Sequence, residues 1–182
     1  MLSSKAAGWM LVMGIIGFII MTISQFVQGD QDGTAGVIAW AATSSDWEGV
    51  GMMRLLTAVA MLLFTAGFIS WARGINESNT AINIGTYFAF LGLVLLWIGI
   101  IVQLTGFEVA SDNTAAAYPL IELSNMGFWF AGVNFGISFF LVGIGAYKSK
   151  AGTPALNGIL AILGLIAAVG SFITWFLWLG GF

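Results

Sequence analysis

A few polar side chains near or inside long apolar segments are the residues of this chain that could do chemistry. They are Arg54, Gln103, Glu122, Asn125 and Asn134. Charged and amide groups are costly in a hydrocarbon environment, so they normally pair with one another or mark a functional site there. Such a set can offer hydrogen bonds and an ion pair. We therefore expect these residues to make polar or partner contacts, and we expect no catalytic residue among them.

Arg54 is separated from Arg73 by nineteen residues, which is roughly 28 Å at helical rise. Each arginine can therefore lie at one membrane boundary, and snorkelling of its side chain explains Arg54. By the same measure Gln103 lies near the boundary on the side of Arg54. Glu122 and Asn125 begin a later apolar segment on that side.

These residues could form a polar and aromatic cluster at the outer leaflet, with Arg54 paired to Glu122 or Glu108. The aromatic members would be Trp97, Trp129, Trp175 and Trp178. An ordinary aromatic belt at the membrane interface is the alternative explanation of the tryptophans.

Asn134 lies about 21 Å from Lys148 along one helix, which places it within the hydrocarbon region. It should need a hydrogen-bond partner there. We expect a hydrogen bond to a neighbouring helix, with a substrate or ion contact as the alternative. Ser138 lies one turn away on the same face.

Histidine and cysteine are both absent from the chain. Their absence removes the usual ligands of haem, iron-sulfur clusters and zinc, and also the common nucleophilic catalytic sets. We therefore expect no metal, no cofactor and no enzymatic activity. Nucleic acid is excluded as a partner on charge, because the chain has 5 basic residues and a net charge of -3.

The composition predicts an all-α integral membrane protein, since 59% of the residues are hydrophobic and only 7% are charged. Apolar runs long enough to cross a bilayer predict a single domain over residues 1–182, a bundle of five transmembrane helices. With ends uncertain by about 2 to 4 residues, the predicted spans are 6–27, 50–72, 81–105, 120–147 and 154–179.

Local signals refine the predicted helix ends. The sequence "SDWE", Ser45 to Glu48, fits a capping box before the second span. Pro119 and Pro154 are each suited to the first position of a helix. The stretch "AGVIAWAA" in the first external loop is too short to span, and we expect it as a short interfacial helix anchored by Trp40.

Lysine and arginine give the orientation, because they concentrate in short cytoplasmic loops. Lys5, Arg73, Lys148 and Lys150 all fall on one side of the predicted spans. The N-terminus is therefore expected in the cytoplasm and the C-terminus outside. We expect the inner membrane of a bacterium or archaeon, with an organelle membrane as the alternative.

Small residues recur along single helix faces, a pattern that lets neighbouring helices approach closely in a bilayer. In the third span four glycines recur at intervals of seven residues, and an alanine falls on the same face. Similar faces occur in the fourth and fifth spans. The residues are Gly85, Ala89, Gly92, Gly99 and Gly106, then Gly132 and Gly136, then Ala161, Gly164 and Ala168. Packing within the bundle explains them, and a surface for another subunit, a pigment or a lipid tail is the alternative.

These observations favour a non-catalytic accessory subunit of a larger membrane complex, of respiratory, photosynthetic or membrane-monooxygenase type. Its expected partners are the lipid bilayer and other membrane protein subunits. The alternative is a small multi-pass transporter or a lipid- or solute-binding protein that uses the polar and aromatic cluster. Co-purification in mild detergent would discriminate between the two classes.

Overall fold

The computed structural model describes residues 3–29, 31 and 33–179. In these residues the chain forms six α-helices and no strand. They are α1 (Ser4–Gln28), α2 (Gly33–Thr43), α3 (Trp47–Ile75), α4 (Thr80–Ala110), α5 (Thr114–Lys148) and α6 (Pro154–Leu179). Five of them, all except α2, are long and apolar enough to cross a membrane. The prediction of an all-helical chain with five long apolar helices is confirmed in the described residues.

The helix ends depart from the sequence prediction in three places, one of which is the end of α4, at Ala110 rather than at residue 105. Pro119 does not open α5, which begins at Thr114 with Asn113 as its N-cap and carries Pro119 inside its second turn. The side chain of Asn113 accepts a hydrogen bond from the amide of Ala116 and so supplies the start signal. The capping box at Ser45 is also wrong, because the N-cap of α3 is Asp46 and its side chain makes no capping bond.

The long helices form a row in which each packs antiparallel on the next, in the order α1, α3, α4, α5 and α6. The small residues permit this packing. An added Cβ at Gly17 of α1 would touch Ala60 of α3, and one at Gly85 of α4 would lie 2.8 Å from Val142 of α5. Backbones that approach so closely gain van der Waals contact in the absence of a hydrophobic driving force.

The antiparallel row gives the protein two chemically different ends. Lys5, Arg73, Lys148 and Lys150 share the first, which we call the basic end, and Asn79 and Ser149 of neighbouring connections are hydrogen-bonded there. The second, which we call the acidic end, is covered by α2. It carries the described acids Asp46, Glu48, Glu108, Asp112 and Glu122. There Ile38 of α2 packs in one buried cluster with Val50 of α3, Phe107 of α4 and Ile121 of α5.

The short helix α2 occupies the segment in which the sequence predicts a helix between the first two spans. It contacts α4 and α5, and Trp40 packs edge-on against Phe107 with ring centroids 5.6 Å apart. Trp40 therefore anchors α2 to the protein core.

Candidate functional site

Arg54 lies inside the protein. Its position on α3 is two helical turns from the start of the helix at Trp47, and only 3% of the residue is exposed. The prediction that its side chain snorkels to the membrane surface is therefore wrong. The guanidinium instead turns inward between α1 and α4.

The guanidinium of Arg54 joins three helices through two glutamines. Nη1 donates to Oε1 of Gln103 on α4, and Nη2 donates to Oε1 of Gln28, the last residue of α1. The guanidinium carbon also lies 5.4 Å from the ring centroid of Phe107, within the range of a cation–π interaction. Nε of Arg54 is buried without a hydrogen-bond partner in the structure.

The expected ion pairs of Arg54 are not formed. Glu108 is exposed, and Glu122 is half-buried with its Oε2 buried and without a hydrogen-bond partner. The acceptors of Arg54 in the described residues are neutral amides. An amide satisfies the N–H donors but leaves the positive charge uncompensated, which is costly at a buried position.

A cavity of about 550 Å³ opens beside this arginine at the acidic end. We call it the Arg54 cavity. Its polar lining combines the guanidinium with amide side chains, and its apolar lining comes from α1, α2 and α5. The lining residues are Met21, Thr22, Gln25, Phe26, Gln28, Gly29, Gln31, Val37, Arg54, Gln103, Asn125 and Phe128. Within the described part of the chain, none of the lining residues is acidic.

The Arg54 cavity brings together part of the cluster that the sequence predicts. Arg54, Gln103 and Asn125 line it, whereas Glu122 does not. Its aromatic members are phenylalanines, and neither Trp97 nor Trp129 is part of the lining. The side chains of Trp175 and Trp178 lie outside the described part of the chain.

Sequence reasoning missed the contribution of α1 and its following connection. Gln25, Gln28 and Gln31 line the cavity at a spacing of three residues. That spacing keeps the side chains of Gln25 and Gln28 close on α1, and Gln31 follows just beyond the helix end. The run of amides at the end of the first span was therefore the available signal.

Asn134 is a buried residue of α5, but the expected hydrogen bond to another helix is not formed. Its Nδ2 donates to the carbonyl oxygen of Phe130, one turn earlier in the same helix, at 2.7 Å. Ser138 is buried beside it and its hydroxyl has no hydrogen-bond partner in the structure. The polar groups of this face lie apart from the Arg54 cavity.

The small-residue faces meet one another within the chain. The residues at Gly85, Ala89, Gly92, Gly99 and Gly106 are buried, and an added Cβ at each of the four glycines would touch α5. Gly132 and Gly136, on a different face of α5, lie against α6, where Gly136 approaches Gly164 and Ala168. Ala161 lies against Gly143 of α5. Helix α5 is thus a central helix with a neighbour on each side.

The described residues contain no group of three or more acidic side chains that could hold a metal ion. The described lining of the Arg54 cavity offers a cation, several amides, the hydroxyl of Thr22 and aromatic rings, which together can bind a ligand.

Comparison with known proteins gives no relative: no family model, no curated protein and no solved structure matches this chain.

Proposed function

We propose that this chain is a membrane-embedded binding protein whose ligand is an amphiphile held in the Arg54 cavity. The observation that carries this proposal is the buried guanidinium of Arg54 at the wall of an open cavity. A volume of about 550 Å³ is in the range of small-molecule sites, which combine an apolar lining with a few polar groups that fix orientation.

The position of the cavity supports a ligand that arrives from the membrane. Helices α1 and α5 both line it, but they are not among the helix pairs that pack against each other. Phe26, on the α1 side, is 81% exposed. In a bilayer, an opening between two spans would face lipid, so a molecule with an apolar body could enter without crossing the water phase.

The lining also matches an amphiphile in its two parts. Arg54, Gln103 and Asn125 can receive a polar head, while Met21 and Phe128 offer apolar surface. A fully water-soluble solute would leave the apolar part of the lining unused.

The test is to purify the protein in a mild neutral detergent and identify the molecules it retains by mass spectrometry of the extracted complex. The variant Asn125→Trp places a large side chain in the cavity. Its matched control is Ile162→Trp, at an exposed position of α6. We expect a retained amphiphile in the wild type and in the control and its loss from Asn125→Trp, all three chains having the same thermal stability. Equal retention by Asn125→Trp would contradict the proposal.

A second candidate function is that of an accessory subunit in a larger membrane complex. It is favoured by α6, which packs chiefly on α5 and leaves most of its large apolar side chains exposed in the described part of the chain. Purification from its native membrane tests this candidate, because a subunit should bring stoichiometric membrane partners with it. A monodisperse chain without partners would contradict it.

A further inference from the structure

The charge of the Arg54 cavity restricts the head group of the ligand. This step rests on the proposed function, since it names the chemical class of the molecule held at the same site. We infer that the ligand is an anionic amphiphile whose oxyacid head group, a carboxylate or a phosphate, is bound by the guanidinium of Arg54.

The first argument is the missing counter-charge. Arg54 is almost completely buried, and its described hydrogen-bond acceptors are the neutral side chains of Gln28 and Gln103. A buried cation requires an opposite charge to offset the loss of its hydration. None of the described lining residues of the cavity is acidic, so an anionic head group would supply a charge that these residues do not.

The second argument is the unused donor capacity. A guanidinium has five N–H donors in a planar fork that matches the oxygens of a carboxylate or phosphate. Two of these donors, one on each Nη atom, go to the glutamines, so each Nη atom retains a second N–H. Nε is buried and has no hydrogen-bond partner among the described residues. Donors that remain in a cavity wall can bind the oxygens of a head group through charge-assisted hydrogen bonds.

The third argument is the arrangement of amides around the guanidinium. The side-chain nitrogens of Gln103 and Asn125 can donate to an anion, and both residues line the cavity. Two aromatic residues, Phe26 and Phe128, complete an apolar lining suited to the first carbons of an acyl chain. An oxyanion with an apolar tail uses every part of this lining.

The test measures binding by equilibrium dialysis in neutral-detergent micelles at neutral pH. The probes are dodecanoate, dodecyl phosphate and the uncharged dodecan-1-ol, which share one alkyl chain, together with acetate and inorganic phosphate as free anions. The variants are Arg54→Gln, which removes the charge, and Arg54→Lys, which keeps it. Arg73→Gln is the matched control, because Arg73 is an exposed residue at the other end of α3.

We expect the wild type and Arg73→Gln to bind the two charged amphiphiles at least about tenfold more tightly than dodecan-1-ol, as a charge-assisted hydrogen bond predicts. Arg54→Gln should bind all three amphiphiles equally weakly, and Arg54→Lys should recover part of the preference. Thermal denaturation of each variant establishes that it is folded.

Four results would overturn this inference, and they do so in three distinguishable ways. Equal binding of dodecanoate and dodecan-1-ol by the wild type would contradict an anionic head group but would leave the proposal of an amphiphilic ligand intact. If acetate binds as tightly as dodecanoate, or if no amphiphile binds, the proposed function as a binding protein for amphiphiles is contradicted as well. Undiminished dodecanoate binding by a folded Arg54→Gln would remove the role of Arg54.

A further variant tests whether the chain supplies the counter-charge itself. Asp30 and Asp32 adjoin Gln31 in the sequence and lie outside the described residues. We expect Asp30→Asn/Asp32→Asn to bind dodecanoate with an affinity within a few-fold of the wild type. A gain of about tenfold or more would show that one of these carboxylates already neutralises Arg54, and would overturn the inference.

Discussion

Gly136 of α5 and Gly164 of α6 are packed backbone against backbone: a Cβ added to either one would lie 2.7 Å from the carbonyl oxygen of the other. Real carbon atoms do not approach a carbonyl so closely, and the obstacle here is backbone rather than a movable side chain. This contact therefore requires glycine on both helices.

Gly136→Ala is accordingly expected to destabilise the protein by about 1–3 kcal/mol, because the methyl group must push α6 away from α5. The matched control is Gly170→Ala on α6, where an added Cβ meets nothing within 4 Å. That control should be neutral or slightly stabilising, because alanine favours a helix over glycine. Thermal denaturation in detergent measures both, and an equal effect of the two substitutions would contradict close packing at Gly136.

The glycine face of α4 gives a second prediction. A Cβ at Gly99 would lie 3.1 Å from the ring of Phe128 and 3.2 Å from the carbonyl oxygen of Ser124, and one at Gly92 would lie 3.2 Å from that of Ala131. A leucine cannot be fitted into either contact without separating α4 from α5.

We expect Gly92→Leu and Gly99→Leu to lower the yield of monodisperse protein severely, even when the chain is produced without partners, since α5 belongs to the same chain. Val94→Leu, at an exposed position of α4, should behave as the wild type. Size-exclusion chromatography in detergent distinguishes the variants. Normal elution of both glycine variants would show that α4 and α5 do not need this contact.

These two contacts illustrate what could be predicted from the sequence. Two of the signals are local properties of the sequence and can be recognised without knowledge of the fold. They are the length of the apolar runs and the spacing of Gly85, Gly92, Gly99 and Gly106. The identity of the opposite surface is not local. Nothing in the spacing says that the face of Gly99 meets Ser124 and Phe128 rather than a lipid or another subunit.

The Arg54 cavity shows where sequence reasoning fails. Arg54 donates to acceptors 26 and 49 residues away in the chain, and no spacing rule predicts a glutamine at such distances. Opposite charge was the available guide, and it suggested Glu122 or Glu108 as the partner. For Asn134 the failure is different. A local acceptor, the carbonyl oxygen of Phe130, competes successfully with any neighbouring helix.

Asn79 is expected to stabilise the connection between α3 and α4 at the basic end. Its Oδ1 accepts hydrogen bonds from the amides of Ala81 and Ile82, and its Nδ2 donates to Oγ of Ser149 at 3.2 Å. Asn79→Ala removes a helix N-cap together with a link to the end of α5, and should cost about 1–2 kcal/mol. Thr80→Ala, at the exposed first position of α4, should change the thermal midpoint much less. A midpoint for Asn79→Ala equal to that of Thr80→Ala would contradict this role.

The absence of cysteine makes the orientation of the chain directly measurable, because any introduced cysteine is the only thiol. Glu77 and Asp112 are exposed residues in connections at opposite ends of the helix row. The lysine and arginine pattern predicts the basic end in the cytoplasm. In intact cells, a membrane-impermeant maleimide should therefore label Asp112→Cys and should label Glu77→Cys only after the membrane is permeabilised. The reverse pattern would invert the predicted topology.

The hydrogen bond between Arg54 and Gln103 gives the last prediction, which separates the cost of a buried charge from the value of its contact. Gln103→Leu removes the acceptor of Nη1 and leaves the buried guanidinium with Gln28 as its remaining hydrogen-bonded partner. Hydrogen bonds to charged groups contribute about 1.5–3 kcal/mol, so a loss of stability of that size is expected.

Arg54→Met/Gln103→Leu should be more stable than Gln103→Leu alone, because it removes the charge that lost its acceptor and keeps apolar volume at both positions. Thermal denaturation of the wild type, both single variants and the double variant completes the cycle. Equal stability of Gln103→Leu and the double variant would mean that another group already offsets the charge of Arg54. The inference of an anionic ligand would then lose its premise, which is an uncompensated buried charge.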